Sequence, residues 1–463
     1  MIPLSVEKIA EIVSGEIIGV DPKLVIAGDF FFDSRSPVKN GVFIALKGEI
    51  NDGHDFLNSA IAGGAAIALV SKSVDVPSIR VVDVLEALGK LAKFLRSNLK
   101  DLKVVAITGS QGKTTTKDLL SHILGAVGRT VSPVGSYNND LGAPLTILKC
   151  TADTRFCVVE MGARSIGDIA KLSKIAKPNV GVVLKVGSAH IGEFGSQENI
   201  ATAKGELIAS LTTQDFAVLG NYDEFTPKMA SLTSANILSF GENSKSDVRA
   251  ADIEYREGYA HFDLVTPQGR EAVGLRILGM HQVANALAAA AAATALNIPI
   301  EVIASALSTA EMSSKWRMEL IEINGLLLIN DSYNANPESM IAALRTLALI
   351  SQERGGRSWA FLGTMHELGA ASGIAHSDIA TAAAALSIDH LVAIGNLQYQ
   401  TSEPIEMVLH HFGQQNDAHQ LFSHFEVGDV ILVKASRAEH LEIIAADIAK
   451  FWRDKTIGME EMK

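Results

Sequence analysis

Residues 109–116, Gly109-Ser110-Gln111-Gly112-Lys113-Thr114-Thr115-Thr116, combine the residue types that hold a chain of phosphates. Glycines let backbone N–H groups turn toward phosphate oxygens, and a helix that starts after them presents the positive end of its dipole. Lys113 suits the β- and γ-phosphates, and the Thr114 hydroxyl suits Mg²⁺. The usual pattern has a further glycine two residues before Gly109, where this chain has Ile107, so the loop is a shortened variant. Three further polar residues carry possible chemistry. Glu160 closes the apolar run Phe156-Cys157-Val158-Val159 and is the natural ligand for a hard cation. His190, in a glycine-rich loop, reads on its own as a structural histidine, and Lys204, in a helical stretch, as a solvated lysine. Gln282 and Asn285 open an alanine-rich helix, where they are caps or nucleotide contacts.

These residues need elements to hold them. Val104 to Thr108 reads as a buried β-branched strand running into the glycine turn, and Val180 to Leu184 and Phe216 to Leu219 are similar apolar runs. Continuous apolar strands separated by helices predict a parallel sheet covered on both faces, with ligands gathered at the carboxyl ends of its strands. The alternation divides the chain into a smaller α/β segment over 1–100, a central P-loop segment over 101–312 and a second doubly wound, Rossmann-like segment over 313–463. The last of these has strand ends at Asp331, Gly363, Gly395 and Lys434 but no Gly-x-Gly-x-x-Gly dinucleotide signature. The expected fold class is therefore α/β with three domains.

Composition narrows the partners. Fifty-two acidic against 40 basic residues leave a formal charge of −12, and no basic run tracks a nucleic-acid backbone, which argues against nucleic acid. The two cysteines, Cys150 and Cys157, form neither a disulfide framework nor a zinc motif, as expected in a reducing compartment. The first residues carry glutamates where a signal peptide needs its apolar core, and the run Ala286 to Leu296 is too short to span a bilayer. A cytoplasmic protein without membrane insertion, acting as a monomer, is the expectation.

Taken together, the motifs resemble those of the Mur ligases of bacterial cell-wall synthesis. The resemblance is carried by Asp33-Ser34-Arg35 with Asp52-Gly53-His54, by Gly109 to Thr116, by Tyr137-Asn138-Asn139-Asp140-Leu141-Gly142, by Glu160-Met161-Gly162, by Ala189-His190, by Ala203-Lys204-Gly205-Glu206 and by Asn330-Asp331-Ser332-Tyr333-Asn334-Ala335-Asn336-Pro337. It implies a first domain that binds the UDP end of a substrate through Ser34, Arg35, Gly48 and His54. It implies a central domain that binds ATP through Gly109 to Thr115 with Asn285, Arg317 and Asp331, and a third domain that receives the amine substrate through Tyr333, Asn334 and Asn336. Lys113, Lys204, His190 and Glu160 are then the catalytic set, and Thr114, Glu160, His190 and Lys204, the last as a carbamate, hold Mg²⁺. Within the family, the third-domain motif points to the branch that joins D-alanyl-D-alanine to a UDP-N-acetylmuramoyl-tripeptide through an acyl phosphate formed with ATP.

Three positions depart from the family pattern: Gln282 and Lys185 stand where asparagine is usual, and Ala435 replaces the glycine of the late Lys-Gly-Ser-Arg motif. Other amide-forming relatives, such as folylpolyglutamate synthase, lack the first domain with its Asp-Ser-Arg motif. A regulatory nucleotide switch would need an Asn-Lys-x-Asp signature, which Asn221-Tyr222-Asp223 does not supply.

Overall fold

The computed structural model describes residues 1–48, 51–189, 191–311, 314–401 and 406–460, the side chains of 456–460 excepted. Its centre is a six-stranded sheet in the order Asn236–Phe240, Phe216–Gly220, Val180–Val183, Lys103–Thr108, Phe156–Glu160, Thr130–Val131, parallel throughout. Lys103–Thr108 comes first in the chain and lies between strands that continue in opposite directions across the sheet. The crevice at its carboxyl end is therefore the topological switch point, where an open α/β sheet binds its ligand.

One face of this sheet is covered by the Lys113–Gly125 and Gln282–Ala295 helices. In the second, 13 of 14 residues are buried, so it must be apolar all round. Alanine meets that demand at the best intrinsic helix propensity and lets neighbouring elements approach closely. Its far side packs on a three-stranded antiparallel sheet, Arg249–Arg256, Tyr259–Thr266 and Gly269–Leu278, through Phe262, Leu264, Val273 and Leu275. This meander interrupts the strand–helix alternation expected for residues 101–312; its half-buried strands carry the one-in, one-out pattern of an antiparallel sheet with one wet face.

The opposite face of the central sheet shares its core with the N-terminal segment. Leu88, Leu91 and Leu95 of the Val84–Asn98 helix join the same apolar cluster as Ile147, Ile169 and Leu172. Arg96 completes the joint by donating to the carbonyls of Ala176 (3.1 Å) and Lys177 (3.1 Å), which end the Asp168–Ala176 helix. The N-terminal segment carries its own five-stranded sheet, Glu16–Ile18, Ser78–Arg80, Ile67–Val70, Val42–Ile44 and Phe30–Phe31, antiparallel only at its first pair.

A second large sheet occupies the C-terminal segment: Glu319–Ile323, Leu326–Asp331, Val430–Lys434, Ser358–Leu362, His390–Ile394 and Val408–Phe412, parallel except for the first strand. The carboxyl ends of Leu326–Asp331 and Val430–Lys434 face the glycine turn of the central sheet across a cleft of about 960 Å³.

Because the alanine helix is enclosed on every side, Ala290→Leu should destabilise the protein by about 1–3 kcal/mol through overpacking. Urea denaturation followed by circular dichroism measures this; an unchanged midpoint would show that the helix is not closely packed.

Candidate active site

The glycine turn is shaped by two left-handed residues, Gly109 (φ 154°) and Gly112 (φ 80°). A Cβ on Gly112 would lie 2.1 Å from Asn285 Oδ1, and one on Gly109 would lie 2.8 Å from Leu184 Cβ, so conformation and space both require glycine. The turn is braced by the loop after the Val180–Val183 strand: Ser110 N–H donates to the Lys185 carbonyl (2.9 Å), and Gly187 N–H donates to Ser110 Oγ (2.8 Å). Gly112 then caps the Lys113–Gly125 helix without a side chain, leaving the N-terminal amides of the helix free for an anion.

Beneath the turn, Lys113 Nζ donates to the Gly109 carbonyl at 2.8 Å. Burial lowers its pKa below the usual lysine range, and the nearby Glu160 carboxylate opposes that shift. Glu160, only 1% exposed, accepts from Thr114 Oγ1 at 3.0 Å and from Asn138 Nδ2 at 2.8 Å. Thr115 is buried beside them. A buried carboxylate next to a hydroxyl is a hard-oxygen donor set that fits Mg²⁺. Among the described residues no three His, Cys, Asp or Glu side chains cluster as a metal site. His190, expected in this set, lies outside the described residues.

Lys204, on the Gln197–Ala209 helix, is 5% exposed and lines the same cleft. Burial, with a smaller contribution from the charge of Lys113, lowers its pKa to about 7. At 5% exposure Lys204 is not the solvated helix lysine that its neighbours alone describe, and that reading is corrected. A neutral amine at this depth has the chemistry needed to add CO₂.

Across the turn, Asn285 Nδ2 donates to Gln282 Oε1 (2.8 Å), and Gln282 Nε2 donates to the Leu278 carbonyl (3.3 Å). The glutamine at 282 thus fixes the amide that crowds Gly112. His281, which the motifs did not single out, lines the cleft with a buried Nδ1 that has no partner among the described residues; burial lowers its pKa to about 4.

The C-terminal segment supplies the opposite wall. Arg317 lies 4.0 Å over the Tyr333 ring, lines the cleft, and has a buried Nε without a partner among the described residues. Trp316 and Met318 on either side are both left-handed (φ 60° and 51°), so the turn that aims Arg317 is strained. Asp331 accepts from Lys434 Nζ (2.6 Å) and from Met318 N–H (3.1 Å). Tyr333 OH bonds Ser136 Oγ of the central segment. The Asn334 carbonyl accepts from Lys434 Nζ (2.8 Å), while Asn336 caps the Pro337–Arg354 helix through Ser339 N–H (2.9 Å). Gln111, within the glycine turn, donates to Asn336 Oδ1 (2.9 Å) and to Glu338 Oε2 (3.0 Å).

The four candidates on the N-terminal segment do not line this cleft. Ser34 and Arg35 sit on an exposed turn where Arg35 clamps Asp33 (2.9 and 2.8 Å), holding that carboxyl at about 2, below its usual range. Gly48 pairs with the Asn51 carbonyl (2.9 Å). His54 is buried with both ring nitrogens engaged, Nδ1 on Asp52 (2.6 Å) and Nε2 accepting from Ser71 N–H (3.1 Å). The half-exposed rings of Phe32 and Tyr137, 5.9 Å apart, join this surface to the central segment; Phe32 had no sequence signal beyond its neighbour Asp33.

With this geometry in view, comparison with known proteins places the chain. Residues 107–293 match the Mur ligase middle domain, and residues 316–437 match the Mur ligase glutamate ligase domain. The UDP-N-acetylmuramoyl-tripeptide–D-alanyl-D-alanine ligase of Mycobacterium tuberculosis is 38% identical, with 96% of this chain and 97% of that protein covered. Among solved structures, MurF from Acinetobacter baumannii superposes with a TM-score of 0.87 at 35% identity, covering 97% of this chain and 99% of that one. MurF from Thermotoga maritima in complex with ADP superposes at 0.79 with 29% identity, covering 92% and 98%. The phosphate cradle, the facing C-terminal wall and a relationship that runs the length of the chain lead to one conclusion: the chain belongs to the Mur ligase family.

Proposed function

We propose that this chain is the ATP-dependent ligase that joins D-alanyl-D-alanine to UDP-N-acetylmuramoyl-tripeptide, forming ADP and phosphate. The observation that carries the reading is the meeting of the glycine turn with the Asn330–Pro337 motif, where Gln111 spans from one to the other. Relatives of that name align with it over nearly their whole length.

A free carboxylate is a poor acyl donor, so the peptide carboxylate must first take the γ-phosphoryl group of ATP; the dipeptide amine then displaces phosphate from the acyl phosphate. No protein nucleophile is needed, and catalysis rests on positioning and on neutralising charge. The glycine turn at 109–115 and Lys113 hold the phosphates, and Arg317 lines the other wall of the cleft. Thr114 and Glu160 would hold Mg²⁺, which when bound offsets phosphate charge. Lys204, carried as a carbamate, would present an anion to a second cation. Asn285 shapes the turn and Asp331 lies with Lys434 at the cleft wall, where a ribose would pass. Ser34 and Arg35 hold the UDP end outside the cleft, with His54 behind them, and Phe32 and Tyr137 line the way in. Among the described residues no helix is long and apolar enough to cross a membrane, and both cysteines are buried free thiols. The nucleotide substrates and the buried free thiols support a cytoplasmic site of action.

Lys113→Ala should abolish phosphate release that depends on ATP, tripeptide and dipeptide together; retained turnover would refute the assignment of the cradle. For Lys204→Ala we expect severe loss of activity with partial recovery in added short-chain carboxylates; full activity without rescue would show that no carbamate is used. Since Lys204 titrates near pH 7, its free base dominates above that pH and its ammonium below. Incorporation of ¹³C-bicarbonate at Lys204 should therefore fall as pH drops from 8 to 6, and a pH-independent NMR signal would contradict the assignment.

A further inference from the structure

Two carboxylates of the C-terminal segment line the cleft, Asp331 and Glu338. Asp331 is neutralised by Lys434 at 2.6 Å. Glu338, in the first turn of the Pro337–Arg354 helix, is held differently: Oε1 accepts from Ser188 N–H at 2.8 Å and Oε2 from Gln111 Nε2 at 3.0 Å. Both donors are uncharged, and among the described residues no cation pairs with it. Its position is fixed from two sides. One donor belongs to the phosphate cradle itself, and the other to the loop whose Gly187 braces Ser110.

A carboxylate accepts at about four lone-pair positions. With one bond to each oxygen, Glu338 keeps acceptor capacity toward the cleft. The bland account, an acidic residue offsetting a helix dipole, explains its place in the first turn. It does not explain why the side chain reaches across to two loops of another domain. Nor do the neighbouring motif residues offer an anion. The Asn336 side-chain carbonyl is committed to the helix cap and to Gln111, and the Asn334 side-chain carbonyl accepts from Ala335 N–H.

We propose that Glu338 is the residue that receives the ammonium group of the incoming amine and takes a proton from it as it attacks. This rests on the ligase reading above, in which the amine enters from the C-terminal wall. The arriving nitrogen carries three protons and no free lone pair. One proton passes to Glu338, and the lone pair so released forms the C–N bond to the acyl carbon. The C–O bond to phosphate breaks with its electron pair going to phosphate, and the second proton leaves with that phosphate. Glu338 then returns its proton to solvent.

The test separates the two half-reactions in the full-length protein. Hydroxylamine, a nucleophile uncharged at neutral pH, traps the acyl phosphate as a hydroxamate without needing a base. In Glu338→Gln, hydroxamate formation from ATP and UDP-muramoyl-tripeptide should stay near the wild-type rate, while kcat/KM for D-alanyl-D-alanine falls on the order of 10²-fold or more. Glu338→Asp, which keeps the charge one methylene farther back, should recover part of that loss, and it serves alone if the glutamine variant does not fold. A parallel fall of both reactions would show that Glu338 merely holds the domains together, and unchanged dipeptide kinetics would show that it does neither; each overturns the proposal. Failure of the wild-type protein to use the dipeptide at all would sink the ligase reading itself, and is seen before any variant is compared.

Discussion

A triphosphate brings several negative charges into one place, and the protein must meet them with groups already oriented before the nucleotide arrives. That requirement is concentrated at Gly112, where a left-handed backbone starts the Lys113–Gly125 helix in the space left by Asn285. A side chain there would collide with the Asn285 amide and strain the left-handed backbone from which the helix amides start. The enclosed packing of Gln282–Ala295, the contacts from Ser110 to the 185–187 loop and the glutamine that holds Asn285 all serve to keep this one corner rigid.

Around the corner, charge is arranged by burial as much as by pairing. Lys113 and Lys204 are both desolvated, and each favours its neutral form more than a surface lysine would. Glu160 partly restores the charge of Lys113, and Lys113 depresses Lys204 further. An incoming polyanion reverses this balance by favouring the charged form of Lys113, so the site responds electrostatically to its own ligand. The C-terminal wall adds a guanidinium with an unused donor and a carboxylate held by neutral donors, and both are brought to the cradle by residues far apart in the chain.

Much of this was legible in the sequence because it is local. The cradle, the strand before it and the helix after it follow from backbone requirements within about a dozen residues, and the parallel sheets follow from continuous apolar strands. What was not legible depends on tertiary contact. The antiparallel meander at 249–278 lies inside a stretch of otherwise regular alternation and has weakly apolar, half-exposed strands. The burial of Lys204 follows from how its helix packs, since neighbouring residue types alone describe an ordinary solvated lysine. His54 and Asn336 carry the right motifs, yet their polar atoms are largely taken up by Asp52, Ser71, Ser339 and Gln111. Glu338 looks like an ordinary first-turn acid until Ser188 and Gln111, 150 and 227 residues away, are seen to hold it.

In the proposed reaction the cleft passes the terminal phosphoryl group of ATP to a peptide carboxylate. The most direct measurement uses UDP-muramoyl-tripeptide labelled with ¹⁸O in its terminal carboxyl group, turned over with ATP and D-alanyl-D-alanine, with the released phosphate analysed by mass spectrometry. Transfer through an acyl phosphate predicts one ¹⁸O atom in each phosphate for each amide bond formed. Phosphate free of ¹⁸O, with amide product present, would contradict the account.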